Sequence, residues 1–273
     1  MTGEQPAHVV IAAGGLGTRV AHWSRYLPKE YLPVDGRPGI VHVLEEAADL
    51  GPAHAVVVYH PYYENFAAWA RQTLTADGHA RYMNAAHRPP MGARHQPGAD
   101  RLRVDLVPQR GPYGDLTSVF NAADHLGDPD ELYVAFSDNL YPGAHALRQL
   151  RDRRPAPCVL VRPYRPDLAK SRGVIITDGH RMIGLEEKPD AKTASRLEQQ
   201  YGARNLLLLE GRIRITRDFV HYARHHHATA NSEPKLALTL ADYAKSHSVG
   251  VVVTNHPVID LGAPTAPSLL TTQ

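Results

Sequence analysis

The sequence is poor in cysteine and in bulky aromatic residues, with one Cys, two Trp and four Phe among its 273 residues. A single cysteine excludes an internal disulfide framework and a cysteine-rich zinc site, and it suits a reducing cytosol. No stretch approaches the roughly 20 apolar residues of a membrane span, and the N-terminus lacks the basic segment and apolar core of a signal peptide. We therefore expect a cytoplasmic protein without a membrane partner.

An excess of charge of either sign is also missing. The 30 Lys and Arg residues nearly balance the 28 Asp and Glu residues, which gives a formal net charge of +2. Bulk electrostatic binding to nucleic acid normally needs a strongly basic surface, so we expect no nucleic-acid partner. The hydrophobic fraction of 43% is too high for a disordered chain. The sequence therefore predicts a folded protein with a substantial core.

Apolar runs of strand length alternate with amphipathic segments along the chain. The run over 8–13 leads into glycines, and a helix over 40–50, a strand over 55–59 and a helix over 65–74 follow. This order predicts an α/β fold with a mostly parallel sheet between helices. Asp178-Gly179 predicts a hairpin turn. Further strands are predicted over 102–107, 132–136, 158–161, 173–176, 182–185, 206–209 and 250–253, helices over 117–126, 216–224 and 238–246, and a loop over 77–100.

A glycine-rich segment, Ala13-Gly14-Gly15-Leu16-Gly17-Thr18-Arg19, follows the first predicted strand. Glycines let the backbone approach a ligand closely and can turn successive N–H groups toward an anion. Arg19 adds a bidentate phosphate donor, and Lys29 adds a second positive charge. The segment predicts a polyphosphate-binding loop, although glycines alone would equally suit a tight turn.

Two common glycine-loop motifs do not fit the spacing. A P-loop requires Gly-Lys-Ser/Thr, whereas the sequence has Gly17-Thr18-Arg19. A dinucleotide-binding fingerprint requires glycine or alanine at the position of Val20. A dinucleotide-dependent oxidoreductase is therefore disfavoured.

With these motifs the chain resembles the sugar-1-phosphate nucleotidyltransferases, above all their glucose-1-phosphate uridylyltransferase and thymidylyltransferase branches. The resemblance extends over about 8–264. It is carried by the following segments in order: Gly14 to Arg19, Pro28 to Val34, Gln109 with Gly114, Ser137-Asp138-Asn139, Glu186 to Pro189, and Ile259 to Gly262. It implies a three-layer α/β/α Rossmann-like fold in one domain. A nucleotide half over about 1–155 would meet a small sugar-phosphate lobe over about 156–265 near the Arg151–Pro157 seam.

The resemblance implies nucleotidyl transfer from a nucleoside triphosphate, UTP or dTTP, to a sugar 1-phosphate. The implied catalytic residues are Arg19, Lys29, Asp138 and Lys188. The implied nucleotide-binding residues are Ala13, Gly14, Gly15, Gly17, Thr18, Arg19, Gln109 and Gly114. The implied sugar-phosphate-binding residues are Asn139, Arg172, Gly173, Glu187 and Lys188. Mg²⁺ would bind Asp138 and Asp260, since this ion takes few protein carboxylates together with phosphate oxygens.

The presumed sugar lobe departs from the family pattern. Arg172 replaces an aromatic residue, Leu206 stands where we expect a glycine near the sugar, and Glu233 to Leu236 match a family segment only in part. With Arg204, Arg172 suggests a modified or additionally anionic sugar-like phosphate. A non-catalytic sugar-nucleotide-binding or regulatory protein, or cytidylyl or adenylyl transfer to another phosphate, remains an alternative.

Two further features and the assembly state complete the sequence-based expectations. The consecutive histidines 225–227 are predicted to form a surface tract, because adjacent helical residues cannot all face one ion. Cys158 lies in an apolar run and is predicted to be a buried structural thiol. A homo-oligomer is left open.

Overall fold

A nine-stranded mixed sheet forms the centre of the protein, in a computed structural model that describes residues 5–73, 84–85, 101–230 and 233–263. The strands are β1 (Ala7–Ala13), β2 (Ala53–Tyr59), β3 (Leu102–Pro108), β4 (Glu131–Phe136), β5 (Cys158–Pro163), β6 (Gly173–Thr177), β7 (Met182–Glu187), β8 (Leu206–Thr216) and β9 (Gly250–Val253). The longer helices are α1 (Gly39–Ala48), α2 (Glu64–Thr73), α3 (Asp115–Leu126), α4 (Ala191–Tyr201), α5 (Arg217–His226) and α6 (Leu236–Tyr243).

Short elements complete the described chain. Two-residue strands pair Pro33–Val34 with Arg37–Pro38, Asn139–Leu140 with Ile259–Asp260, and Thr229–Ala230 with Glu233–Pro234. Short helical turns cover Thr18–Val20, Ala21–Ser24, Lys29–Tyr31, Pro61–Tyr63, Arg148–Leu150, Pro166–Ala169 and Ala203–Asn205. No helix among the described residues is long and apolar enough to span a bilayer.

The strand order explains the continuous apolar runs in the sequence. The sheet runs β7-β6-β8-β4-β1-β2-β3, and β5 pairs with both β8 and β9. β4, β1, β2 and β3 are parallel neighbours, as predicted. Residues on both faces of β1 are buried, because Val10 packs in one core cluster while Val9 and Ile11 pack in another. Such two-sided burial is typical of parallel strands covered by helices.

One long strand, β8, belongs to both parts of the sheet. Its first residues pair with β6, its last residues pair with β4, and both pairings are antiparallel. Its register against β5 shifts between Leu209 and Ile213, and Gly211 adopts a positive φ of 64° there. This irregularity bends the strand, as a bulge does. The predicted strand over 206–209 was too short, because Glu210 and Gly211 end the apolar run and the buried Arg212 and Arg214 interrupt its continuation.

All the predicted helices are present, with ends that differ by up to three residues, and the helix predicted over 238–246 is observed as Leu236–Tyr243. α4 was not predicted, because its buried residues, Ala194 and Leu197, are too few to give a strong apolar period. Thr216 is the N-cap of α5 rather than its first residue, since its hydroxyl accepts a hydrogen bond from Phe219 N at 3.3 Å. The predicted hairpin turn at Asp178-Gly179 is confirmed between β6 and β7.

The two features outside the presumed cleft lie where we expected them. Cys158 is fully buried, and burial raises the pKa of its thiol. The histidines 225–227 are exposed around the end of α5. The loop predicted over 77–100 lies outside the described residues except for 84 and 85.

Candidate active site

Two adjoining cavities open at the carboxyl ends of β1 and β4, where parallel sheets characteristically bind ligands. The glycine-loop cavity has a volume of about 280 Å³, and the β8 cavity has a volume of about 170 Å³. Six residues line both: Arg19, Asp115, Phe136, Asp138, Lys188 and Lys235. A ligand with two charged ends could therefore extend from one cavity into the other.

The glycine-rich loop needs glycine at its turn for two reasons. Gly17 has φ of 62°, a conformation that side chains disfavour, and its carbonyl accepts a hydrogen bond from Ser24 Oγ at 2.9 Å. A Cβ at Gly17 would lie 3.1 Å from Lys29 Cδ and 3.2 Å from Ser24 Cβ. The tight turn leaves Thr18 and Arg19 exposed on the wall of the glycine-loop cavity.

Lys29 lies below this loop between two acidic side chains. Its ammonium contacts the Asp138 carboxylate and lies 3.7 Å from Glu30 Oε1. Burial alone would lower the pKa of Lys29, but the charges of Asp138 and Glu30 raise it above its ordinary value. Burial would raise the pKa of Asp138, but the Lys29 ammonium holds it below its ordinary value. Lys29 and Asp138 are therefore both charged near neutral pH.

Asp138 and Asp260 converge from distant parts of the sequence. Asp260 pairs with Asn139 across the two short strands, and Leu261 N donates a hydrogen bond to Asp138 O at 2.8 Å. Gly262 marks the point of convergence. A Cβ there would lie 2.8 Å from Arg19 Nη2, 3.2 Å from Asp260 Oδ1 and 3.6 Å from Asp138 Oδ2. Two carboxylates and a guanidinium thus surround one small volume.

The loop that carries Asp138 is held from beneath by Arg212. This fully buried guanidinium donates hydrogen bonds to Phe136 O at 3.0 Å and Asn139 O at 2.6 Å, on either side of Asp138. It also forms a bidentate pair with Glu46, at 2.9 Å from Nε and 2.8 Å from Nη2. Bidentate pairing fixes the plane of the guanidinium group. Arg212 therefore holds the backbone on either side of Asp138 in place.

Gln109 and Gly114 lie at the far wall of the glycine-loop cavity. The Gln109 amide donates to the carbonyls of Pro112 at 3.3 Å and Gly114 at 3.4 Å, and its oxygen accepts from Ser118 Oγ at 3.3 Å. These contacts fold the segment after β3 back over Gly14, whose added Cβ would collide with Gln109 Oε1. Seven of the eight predicted nucleotide-binding residues therefore meet in one cavity. Ala13 is the exception, because it is buried and lines a separate apolar pocket beside Tyr31 and Ile40.

Gly114→Ala is expected to destabilise the protein by about 1–3 kcal/mol, the usual cost of overpacking. An added Cβ would lie 2.5 Å from Pro234 O and 3.0 Å from Pro234 N, and neither backbone atom can move as a flexible side chain can. Urea unfolding would measure the change. Gly184→Ala is a matched control, because its Cβ would make an ordinary 3.5 Å contact with Ile176. Equal stability of both variants would contradict this expectation.

The β8 cavity contains the predicted sugar-phosphate-binding residues. Asn139, Arg172, Gly173, Glu187 and Lys188 all line it. Glu187 lies opposite Gly173 in the β6–β7 pair, and a Cβ at Gly173 would lie 3.1 Å from Glu187 Oε2. Lys188 has φ of 49°, and such left-handed geometry in a residue other than glycine is concentrated at functional sites.

The structure corrects the expectations for two residues of this lobe. Arg204 is exposed on the turn Ala203–Asn205 and does not line the cavity beside Arg172. Leu206 is buried in a separate apolar cluster, and the glycine of β8 that lines the cavity is Gly211. The close approach that requires glycine is at Gly211, where an added Cβ would lie 2.7 Å from Asn139 Nδ2.

Sequence reasoning missed other residues that line both cavities, chiefly Lys235 and Asp115. Lys235 pairs with Glu233, and Asp115 Oδ1 accepts a hydrogen bond from Leu236 N at 2.7 Å. Burial raises the pKa of Asp115. The partial match of Glu233 to Leu236 to a family segment was the signal available for Lys235. Asp115 offered none beyond its place before a helix.

Comparisons with known proteins agree with this geometry. The family model described as nucleotidyl transferase matches residues 8–203. The UTP–glucose-1-phosphate uridylyltransferase YngB of Bacillus subtilis is 26% identical over 193 residues, 68% of this chain and 64% of the relative. A glucose-1-phosphate thymidylyltransferase of Streptomyces griseus is 27% identical over 184 residues, 66% of this chain and 44% of the relative. The matched region is thus less than two thirds of either relative's length.

The fold agrees with a solved structure. A UDP-glucose pyrophosphorylase complexed with UDP-glucose superposes with a TM-score of 0.75 at 19% identity, over 95% of this chain and 94% of the other. At this identity the likeness concerns the fold alone. Because the family model matches more than half of the sequence, including the glycine-rich loop, Lys29, Asp138 and Lys188, the chain belongs to the nucleotidyl transferase family.

Proposed function

We propose that the protein transfers a nucleotidyl group from a nucleoside triphosphate, with UTP or dTTP favoured, to a sugar 1-phosphate and releases pyrophosphate. The observation that carries the proposal is the convergence of Arg19, Asp138 and Asp260 around Gly262, at the junction of the two cavities. The glycine-loop cavity would bind the triphosphate, and the β8 cavity would bind the sugar phosphate. The junction is then where the α-phosphorus and the attacking oxygen meet.

The chain needs no general base for this reaction, because the nucleophile is already an anionic phosphate oxygen. Its residues have to position two anions and offset their charge. Arg19 and Lys29 would hold the triphosphate and stabilise the departing pyrophosphate. Glu187 would hold sugar hydroxyl groups, and Lys188 would hold the sugar phosphate. The two side chains are neighbours, with Lys188 Nζ 3.3 Å from Glu187 Oε1.

The donor set at the junction fits Mg²⁺. Asp138 and Asp260 offer carboxylate oxygens on the same small volume, and Mg²⁺ typically takes one or two carboxylates together with phosphate oxygens. When bound there, Mg²⁺ would offset charge on the phosphates. We therefore propose these two aspartates as its protein ligands.

A pyrophosphate-release assay over UTP, dTTP, CTP and ATP, each with a panel of sugar 1-phosphates, tests the proposed function. We expect the highest kcat/KM with UTP or dTTP. Highest turnover with CTP or ATP would favour the related cytidylyl or adenylyl transfer. Binding of UDP-glucose without any pyrophosphate release would favour a non-catalytic sugar-nucleotide-binding protein.

Other sequence-based expectations stay predictions. We propose that the chain is one domain in which residues 1–155 bind the nucleotide and residues 156–265 bind the sugar phosphate; both parts contribute strands to the same sheet. We also propose that the protein is cytoplasmic.

The electrostatics of Arg172 support an additionally anionic substrate. Glu210 is fully buried, with Arg162 Nε at 2.6 Å and Arg172 Nη1 at 3.7 Å from its Oε1. Two guanidinium groups thus share one carboxylate, so the three side chains together carry a net positive charge. Arg172 is the member that lines the β8 cavity.

We expect the wild-type enzyme to prefer a uronic acid 1-phosphate to glucose 1-phosphate, and Arg172→Ala to lose that preference. The variant would lose a charge-assisted hydrogen bond from Arg172 to the carboxylate of the uronic acid. This loss should change the ratio of the kcat/KM values for the two substrates roughly tenfold or more. Arg204→Ala is the matched control, since Arg204 is exposed outside the cavity. Identical ratios in wild type and Arg172→Ala would refute the preference.

A further inference from the structure

A cluster of metal-ligating side chains lies at the end of the sheet opposite the cleft. His54 is near the start of β2, Asp105 is in β3, and His125 is in the last turn of α3, whose first residue lines the cleft. In the described part of the chain, one ligand atom from each of these three residues lies within 4.8 Å of the other two. The proposed nucleotidyl transfer does not use them.

The pleat of the sheet explains how the cluster forms. His54 and Val56 project from the same face of β2, and Asp105 is the register partner of Val56. This face packs against α3, because Val56 belongs to the core cluster that contains the buried residues of that helix. The last turn of α3 then carries His125 to the two strand residues.

The donor atoms converge on one point rather than forming separate pairs. His54 Nε2 and His125 Nε2 each lie 2.8 Å from the same oxygen, Asp105 Oδ2. The two imidazole rings are in edge contact, with their centres 6.3 Å apart and their planes inclined by 71°. Tetrahedral zinc with ligands at about 2.0–2.2 Å requires ligand atoms separated by roughly 3.4 Å. A small outward shift of the side chains would provide that spacing.

The surroundings allow such a shift and leave a route for entry. The side chain of His125 is 38% exposed, whereas those of His54 and Asp105 are 15% and 23% exposed. Arg103 also binds Asp105, with Nη2 at 3.1 Å from Oδ2 and Nε at 3.4 Å from Oδ1. Its side chain is 70% exposed and can move aside, or keep Oδ1 while Oδ2 binds an ion. His8 is a neighbour, with its ring centre 6.4 Å from that of His54.

We propose that His54, Asp105 and His125 form a binding site for a divalent transition-metal ion of the zinc type. Two imidazole nitrogens and one carboxylate oxygen are a donor set that zinc accepts, with a fourth position open to water. The ion would connect β2, β3 and α3 and stabilise the folded chain. This site differs from the proposed Mg²⁺ site, whose protein ligands are carboxylates alone, because imidazole nitrogens favour transition-metal ions.

Zinc titration of the full-length, chelator-treated protein tests the site. The exposed histidines 225–227 could bind zinc by themselves, so the reference protein carries His225→Ala, His226→Ala and His227→Ala. Excess Mg²⁺ in the buffer occupies carboxylate-only sites. His54→Gln and His125→Gln are then compared in this reference protein, and both keep a polar side chain of similar size. His145→Gln is the control, because His145 pairs with the single carboxylate of Asp49 at 2.5 Å.

We expect one Zn²⁺ per chain in the reference protein and in His145→Gln, with a higher melting temperature when zinc is bound. His54→Gln and His125→Gln should bind at least about tenfold more weakly and lose the thermal shift. Bound Co²⁺ should give the visible bands of a tetrahedral site in the reference protein. A reference protein that binds less than one Zn²⁺ per chain, or a His125→Gln variant that binds as tightly, overturns the proposal.

Discussion

Asp138→Asn is expected to lower kcat by on the order of 100-fold or more, as loss of a preorganised charged group at a reaction centre does. The change keeps the shape of the side chain but removes the charge that faces Lys29 and Arg19. It also removes one of the two proposed Mg²⁺ ligands. Initial rates of pyrophosphate release at saturating substrate concentrations would measure the effect. Near-normal turnover would reject the proposed role of Asp138.

Two further variants make the result interpretable. Asp130→Asn is the control, because Asp130 is 83% exposed and pairs with Arg217 at the other end of β4. It should keep wild-type kcat. Lys29→Ala should lose as much activity as Asp138→Asn, but it also leaves the buried Glu30 and the partly buried Asp138 without their cation. Melting temperatures of all three variants would separate lost catalysis from lost folding.

Glu46→Gln is expected to lower the free energy of unfolding by about 3 kcal/mol, because removing one member of a buried ion pair leaves the other charge uncompensated. The side chains of Glu46 and Arg212 are 5% and 0% exposed. A loss of this size is a large part of the 5–15 kcal/mol typical of a folded domain. Guanidinium unfolding monitored by circular dichroism would measure it.

The neighbouring residue provides a control within the same helix. Glu45 pairs with Arg37, whose side chain is 46% exposed, so Glu45→Gln should change stability by less than about 1 kcal/mol. Similar free energies of unfolding for the two variants would show that disrupting the buried Glu46–Arg212 pair costs no more than disrupting the exposed pair. Because Arg212 also holds the carbonyls on either side of Asp138, Glu46→Gln should reduce turnover as well.

Local sequence signals located the glycine-rich loop and most strands because these features depend on short-range chemistry. A continuous apolar run such as β1 predicts a buried strand wherever it occurs. The left-handed turn at Gly17 requires glycine whatever surrounds it. In contrast, α4 has few buried residues, and the second part of β8 contains arginines, so neither shows a clear apolar period.

The sequence by itself determined the α/β class, the glycine-rich loop and the residue types that can bind phosphate and metal. Only the tertiary structure decided which side chains meet. The pairing of Asn139–Leu140 with Ile259–Asp260 brings Asp138 and Asp260 together from positions more than a hundred residues apart. The cluster of His54, Asp105 and His125, and the burial of Arg212, likewise arise from strand register and helix packing. Such contacts depend on long-range packing, which no local pattern of residues encodes.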